Sequence, residues 1–452
     1  MSDKSHYTLL FSFVLVSSIL FNLFNNIEKI NKYMDEEFHL DQTLSYYNNN
    51  FKYWNNKLTT FPGTFILSSY FLKLFYLFQI PINQNNSIKI VRIFTIVVSI
   101  LSFIILGFFR KKVNTEQSMI YKLQLLICFL PINFFYNFLF YTETFSIFSL
   151  ILFFYLNLYQ TKYFIFRLLS GALCVLIRQN NIIWINLLAL SDAISLIRNL
   201  YYNRNIKEFV ENVILTIAKH IEILIIDILF ICFVVYNDFS IVLGDKSHHN
   251  MCFHLAQINH LLIFSVIFFP AYNLKVLRNL NKLINNGRKA VRFMLIFFVI
   301  ISFVLFFNRF SYTHDFILSD NRHYIFYYFK KIYLKDNIRY ALLIYISFTY
   351  SIIINDNLKL IKDNKIISWF ICCLLCLIPS KLVEVRYFVP CYVIFIILVN
   401  YNKETYEDLY QSLFHWINIL THVIINGITI YIFLFKPFEN KYMENEVSRF
   451  MY

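Results

Sequence analysis

The sequence predicts an all-α fold, a polytopic bundle of transmembrane helices, and three observations carry that expectation. Of 452 residues, 58% are hydrophobic and only 15% are charged. Water-facing surface needs charge and lipid-facing surface does not, so the deficit reports a bilayer as the solvent. Apolar runs of the roughly 17 to 25 residues that fit a hydrocarbon core of about 30 Å recur along nearly the whole chain. The cations behind a formal net charge of +14 lie in short loops between those runs, which is the positive-inside pattern and not a nucleic-acid surface.

In chain order, the expected spans fall near 7–25, 64–80, 89–108, 121–139, 141–158, 163–178, 181–197, 213–236, 257–274, 293–308, 339–355, 367–379, 387–400 and 413–435. The first is longer than the core of a signal peptide and runs into Glu28 and Lys29 without a small-residue cleavage site, so it reads as a retained helix. Neither an internal repeat nor a separate soluble domain is visible. The chain reads as one membrane-embedded domain, 1–452, with a first loop at 26–63. The eight cysteines sit mostly inside apolar runs without paired CxxC sets, so neither a zinc site nor a disulfide framework is expected.

Glycine and proline are scarce, at six and seven residues. Those present mark places where the backbone needs positive φ or close approach. Gly63 ends Thr59-Thr60-Phe61-Pro62-Gly63, Gly171 lies in a helix, and Gly244 opens Gly244-Asp245-Lys246-Ser247. Asn85-Asn86-Ser87 is a glycosylation sequon.

Topology concentrates the polar residues. If the basic runs Arg110-Lys111-Lys112, 198–207, 275–292 and 359–365 are cytosolic, clusters at 141–143, 178–181, 244–254, 314–324 and 381–387 share the opposite face. The start of the chain conflicts with that count, because two ordinary crossings between Asp35 and Arg110 would put both on one side. The stretch 64–80, which contains Lys73 and ends at Pro81, is therefore expected to lie at the interface or to re-enter.

Five groups of residues could carry chemistry. The first loop gathers Asp35, Glu36, Glu37 and His39 just beyond a helix; carboxylates sheltered at a membrane surface suit general-base work, and a solvated acidic loop is the alternative. Trp54 and the Thr59–Gly63 stretch supply aromatic and turn residues that suit a sugar-binding wall. Arg178-Gln179-Asn180-Asn181 interrupts an apolar run, which is costly unless a cavity or charged ligand is faced; a short loop between helices is the alternative. Asp320-Asn321-Arg322-His323-Tyr324 could clamp a phosphate or form a solvated ion pair. Glu384 and Arg386 read equally as a ligand site or an interfacial pair. The histidines at 248, 249 and 254 fit no established metal spacing, and GxGxxG, GxxxxGK[ST] and HExxH are all absent.

Together these clusters give the chain a family likeness. It resembles the dolichyl-phosphate-glucose-dependent α-1,2-glucosyltransferases. The likeness runs through Tyr33-Met34-Asp35-Glu36 with Phe38-His39, Trp54, Thr59-Thr60, Pro62-Gly63 and Arg92. It continues with Asn137-Phe138-Leu139, Tyr141-Thr142-Glu143, Arg178-Gln179, Asn181-Ile182-Ile183-Trp184, Gly244-Asp245, Ser247, His254 and His314. It ends with Asp320–Tyr324, Glu384, Arg386-Tyr387-Phe388, Pro390 and Arg449-Phe450-Met451. Glu37, Phe61, Asn180 and Asp315 depart from the family pattern and remove no candidate acid or base.

The resemblance implies a GT-C type membrane glycosyltransferase of the endoplasmic reticulum with a luminal active site. Its donor would be dolichyl phosphate glucose and its acceptor a dolichyl-diphosphate oligosaccharide. By the same likeness the reaction inverts configuration, with Asp35 as favoured base and Glu36 as the other candidate. Arg178, Gln179, Asp320, Arg322, His323, Glu384 and Arg386 would serve donor phosphate or substrate binding, and His39, Trp54 and Tyr324 would contact sugar. A single phosphate lacks the pyrophosphate that ties nucleotide-sugar enzymes to a divalent ion, so no cofactor and no obligatory metal are expected. A transporter or channel-accessory subunit fits the composition equally, but would place polar residues mid-helix, whereas here they cluster at helix ends. Another dolichyl-phosphate-sugar-dependent transferase would share the acidic first loop.

Overall fold

In the computed structural model the described residues are 2–26, 32–109, 117–159, 162–246, 251–271, 273, 283, 285–401, 412–439 and 447–452. Their regular structure is helical apart from one two-stranded antiparallel pair near the C-terminus and one isolated parallel bridge. The chain is a multi-pass membrane protein. Among the described residues five helices are long and apolar enough to cross a bilayer, containing Tyr7–Asn25, Asn86–Phe108, Gly287–Asn308, Asp336–Asp356 and His415–Phe435. The chain divides into two compact units, Met1–Gln124 with Asn133–His249, and Leu125–Ile132 with Asn250–Tyr452.

The first unit begins with α1 (Ser2–Asn26), followed by the loop helix α2 (Glu36–Tyr47), α3 (Gly63–Leu77) and α4 (Gln84–Phe108). Gln42, fully buried on α2, ties the next turn down: its Nε2 donates to the Tyr53 carbonyl (3.0 Å) and its Oε1 accepts from the Asn55 N–H (2.8 Å). Helix α3 packs against α2, and Lys73 on α3 donates to the Asn49 side chain of the loop (2.8 Å). The stretch that upset the topology count is thus tied to the first loop. Asn83 caps α4 by accepting the Asn86 N–H (2.8 Å), and the buried Ser87 hydroxyl donates to the Asn83 carbonyl (2.6 Å). The side chain of Asn85 lies outside the described residues, as do Glu28, Lys29, the basic run at 110–112, most of 275–284, and Ser247–His249.

Several expected spans are broken, 181–197 among them at Asn186, between Asn181–Ile185 and Leu187–Asn203. The run at 121–139 divides into Gln117–Cys128 and Pro131–Tyr136, because proline cannot donate to the preceding turn and is suited to a first helical position. The run at 213–236 divides at His220 into Ile206–Lys219 and Ile221–Tyr236. There Lys219 Nζ and His220 Nε2 both reach Asp192 (2.6 and 2.8 Å), and that anchor holds His220 at non-helical angles. The remaining helices used below are α5 (Thr142–Tyr159) and α6 (Phe164–Ile177).

Gly63 and Gly244 mark close approach, whereas Gly287 and Gly427 face open space. A Cβ on Gly63 would lie 2.5 Å from the Leu176 carbonyl oxygen, and one on Gly244 2.4 Å from that of Leu58. No described glycine has positive φ.

In the second unit the antiparallel contact between α7 (Gly287–Asn308) and α8 (Asp336–Asp356) is secured by Arg292, which donates to the Asn355 side chain (2.6 Å) and carbonyl (3.1 Å). The last long helix, α9 (Ser412–Phe435), is followed by strands β1 (Phe438–Glu439) and β2 (Val447–Ser448).

Candidate active site

The acidic turn that opens α2 is built around Glu36. Glu36 is fully buried and each of its oxygens accepts two hydrogen bonds. Oε1 takes Arg92 Nε (2.9 Å) and the Phe140 N–H (2.7 Å), and Oε2 takes Arg92 Nη2 (2.6 Å) and the Tyr33 N–H (3.0 Å). A carboxylate offers about four acceptor positions, so this one is saturated. Arg92, itself buried, also donates to Asn25 at the end of α1 (3.1 Å). One ion pair therefore joins α1, α4, the turn before α2 and the segment before α5.

Asp35 lies directly before Glu36 in the same turn. It occupies the N-cap position of α2 without making a side-chain cap bond, and it is half-buried. Its backbone N–H donates to the Tyr141 hydroxyl (3.2 Å), which donates in turn to the Tyr33 carbonyl (3.4 Å). Met34, immediately before it, has φ of 51°, a left-handed conformation that costs a non-glycine residue about 1 kcal/mol or more. His39 is buried, and its Nδ1 donates to the Phe140 carbonyl (2.8 Å), while Glu37 faces solvent.

Trp54 is half-buried, its indole N–H donates to the Leu58 carbonyl (3.3 Å), and its ring meets Phe65 edge-on. Arg178 follows α6 and pairs with Glu143 in the first turn of α5 (3.1 Å); Glu143 is buried and Arg178 partly exposed. Gln179 donates to the Thr59 carbonyl (2.8 Å). The first unit thus brings the acidic turn, Arg92 and the Phe140–Tyr141 segment together around Glu36, and ties Gln179 to the Thr59–Gly63 stretch.

In the second unit, Arg322 grips Asp320 with Nε and Nη2 on both carboxylate oxygens (2.8–3.2 Å). Burial raises the Asp320 pKa, but the Arg322 hydrogen bonds and the neighbouring cations outweigh it and hold the carboxyl below its ordinary value. His323 Nε2 lies 3.8 Å from the same carboxylate. The Tyr324 hydroxyl is buried without a hydrogen-bond partner among the described residues, and burial pushes it up to about 12. Glu384 and Arg386 form an ion pair with each other. The loop before them is pinned by Gln257, whose amide donates to the Ser380 and Leu382 carbonyls (3.1 and 2.9 Å), and by the His254 N–H on the Ile378 carbonyl (3.0 Å). His254 Nε2 accepts the Tyr312 N–H (3.2 Å). Among the described residues no group of three or more His, Cys, Asp or Glu side chains could hold a metal ion.

Sequence reasoning gave no role to Arg92, Glu143 or Gln257. Arg92 carried a signal, since an arginine inside an apolar run needs a partner. Its pairing with Glu36, 56 residues away, carried none.

The comparisons with known proteins agree among themselves. The model of the DIE2/ALG10 family matches residues 29–397. Over 97% of this chain and 96% of the relative, the sequence is 29% identical to a human protein named Dol-P-Glc:Glc(2)Man(9)GlcNAc(2)-PP-Dol alpha-1,2-glucosyltransferase. A Candida albicans protein of the same name is 30% identical over 92% of each chain, and one from Drosophila melanogaster 25% identical over 94% of each. No solved structure matches. With most of its length matched in this way, the chain belongs to the DIE2/ALG10 family.

Proposed function

We infer that this protein transfers glucose from dolichyl phosphate glucose to the terminal glucose of a dolichyl-diphosphate-linked Glc2Man9GlcNAc2, forming an α-1,2 bond. The observation that carries the reading is the likeness, over 97% of the chain, to a relative named for that activity. In this reading the active site faces the lumen of the endoplasmic reticulum.

The reaction is a direct displacement. The acceptor hydroxyl oxygen attacks the anomeric carbon, the bond from that carbon to the phosphate oxygen breaks, and dolichyl phosphate leaves with the bonding electrons. The hydroxyl proton passes to a carboxylate base. We assign that base to Asp35. A base needs a lone pair directed at the substrate, and the four donors on Glu36 leave it none. Glu36 then acts as a positioning residue, fixing the turn that presents Asp35. The departing phosphate gains charge, and fixed cations stabilise it most strongly where water is scarce. Arg178, Arg322, His323 and Arg386 are the cations proposed for it from the family likeness. Arg322 in particular offers a planar fork that fits phosphate oxygens as well as it fits Asp320. Gln179 and Glu384 hold Thr59 and Arg386 in place, and His39, Trp54 and Tyr324 are assigned to sugar contact.

The test supplies microsomes containing the protein with dolichyl phosphate glucose and a lipid-linked acceptor lacking only its final glucose. One added hexose, retained after EDTA washing, is expected. No added hexose would refute the function, and full dependence on a divalent ion would refute the all-cation account of the leaving group.

A further inference from the structure

The chain's last residues are built into the loop that carries Asp320, Arg322 and His323. The Met451 N–H donates to the Arg322 carbonyl and the Tyr324 N–H to the Met451 carbonyl, both at 2.9 Å, so that Met451 pairs with His323 as a parallel bridge. His323 Nδ1 lies 2.9 Å from the backbone oxygen of Tyr452. That oxygen can only accept, so Nδ1 carries the hydrogen, and Nε2 is the nitrogen left facing Asp320. Phe450 stacks with Tyr324 and with Phe438 of β1.

This segment has its own anchor. Arg449 is buried, and its Nη1 donates to the Phe433 and Leu434 carbonyls (2.6 and 2.8 Å) in the last turn of α9. Those carbonyls have no partner within the helix, so the arginine caps α9 and fixes the strand to a rigid element. The ring of His323 and the backbone of Arg322 therefore take their orientation from a segment more than a hundred residues away in sequence.

We propose that Arg449–Tyr452 is a positioning strand for donor binding, setting the orientation of Arg322 and His323 toward the donor's phosphate through backbone pairing. The proposal rests on the assignment of the Asp320–Tyr324 loop to that phosphate. A strand that merely stabilised the fold would change how much folded protein there is and leave the kinetics of each folded molecule alone. A positioning strand changes the KM for one substrate and does so through Arg322 and His323.

The experiment measures glucose transfer by the full-length protein in microsomes, varying dolichyl phosphate glucose and the acceptor separately. Arg449→Ala is expected to raise the donor KM about tenfold, with acceptor KM changed less than about twofold, and Arg449→Lys to recover most of the loss. Non-additivity is the signature: Arg449→Ala combined with His323→Ala is expected to raise the donor KM by clearly less than the product of the two single effects. Met451→Pro removes the N–H given to Arg322 and leaves Arg449 unaltered, while also replacing the buried Met451 side chain; it serves if Arg449→Ala does not accumulate, and the same donor-specific rise is expected. A donor KM unchanged in these variants, or full additivity with His323→Ala, would overturn the positioning role while transfer by the unaltered chain upholds the function. Absence of transfer by the unaltered chain would overturn both.

Discussion

The turn at Tyr33–His39 and the loop at Asp320–Tyr324 use the same ingredients, a carboxylate paired with an arginine and a backbone segment from far along the chain, and put them to opposite ends. Around Glu36 the charges are buried and every acceptor position is filled. Around Asp320 the pair lies within three residues, with side chains 16% and 23% exposed. The first arrangement cannot exchange partners without leaving a buried charge stranded, so it suits support. The second can give up a carboxylate for a phosphate at little cost, so it suits binding. The lesson is that saturation and exposure separate a structural ion pair from a functional one better than charge or motif does.

The largest effect should come from breaking the buried pair. Glu36→Ala or Arg92→Ala strands the other charge, and such losses cost about 3–5 kcal/mol; thermal inactivation of membranes and the amount of folded protein would both register it. Gly63→Ala comes next, because its Cβ would stand 2.5 Å from a backbone oxygen that cannot rotate away. Overpacking of this kind costs about 1–3 kcal/mol, read as a fall in inactivation temperature.

Arg322→Lys sharpens the comparison at the other loop. It keeps the charge and loses the fork, so stability is expected to move by less than about 1 kcal/mol, as for other part-exposed pairs, while the donor KM rises severalfold. The smallest effect concerns pH. Because the Asp320 pKa is depressed on folding, its contribution is fully present above the ordinary carboxylate value of about 3.9 and is lost only as pH falls through the lower folded value. The difference in thermal inactivation between the unaltered protein and Asp320→Asn should therefore be constant from about pH 5 to 8. A difference that shrinks across that range would show that Asp320 is not held as described.

Much of the architecture was legible in the sequence because hydropathy reports the solvent directly. The helices holding Tyr7–Asn25, Asn86–Phe108 and Gly287–Asn308 lie where apolar runs placed them. The breaks at Pro131 and His220 were not legible as breaks, since an apolar run averages over a kink and the cause at His220 is a tertiary anchor on Asp192. The glycines at 63 and 244 were legible as constrained positions, and the constraint is close approach. At the candidate site, adjacency in sequence made Asp35 and Glu36 look interchangeable. Their environments diverge because the turn at Met34 directs one carboxylate toward Arg92 and Phe140, contacts 56 and 104 residues distant that no local pattern encodes. The pairing of Met451 with His323 was hidden for the same reason.

The central claim is that Asp35 takes the proton and Glu36 holds the turn that presents it. Its most direct test compares Asp35→Asn with Glu36→Gln in the glucose-transfer assay, normalised to folded protein and accompanied by thermal inactivation. For Asp35→Asn the account predicts a loss in kcat of about 10²- to 10⁴-fold with stability unchanged, and for Glu36→Gln a protein that is less stable but still turns over. Near-normal kcat in Asp35→Asn, with folded but inactive Glu36→Gln, would contradict it and move the base to Glu36.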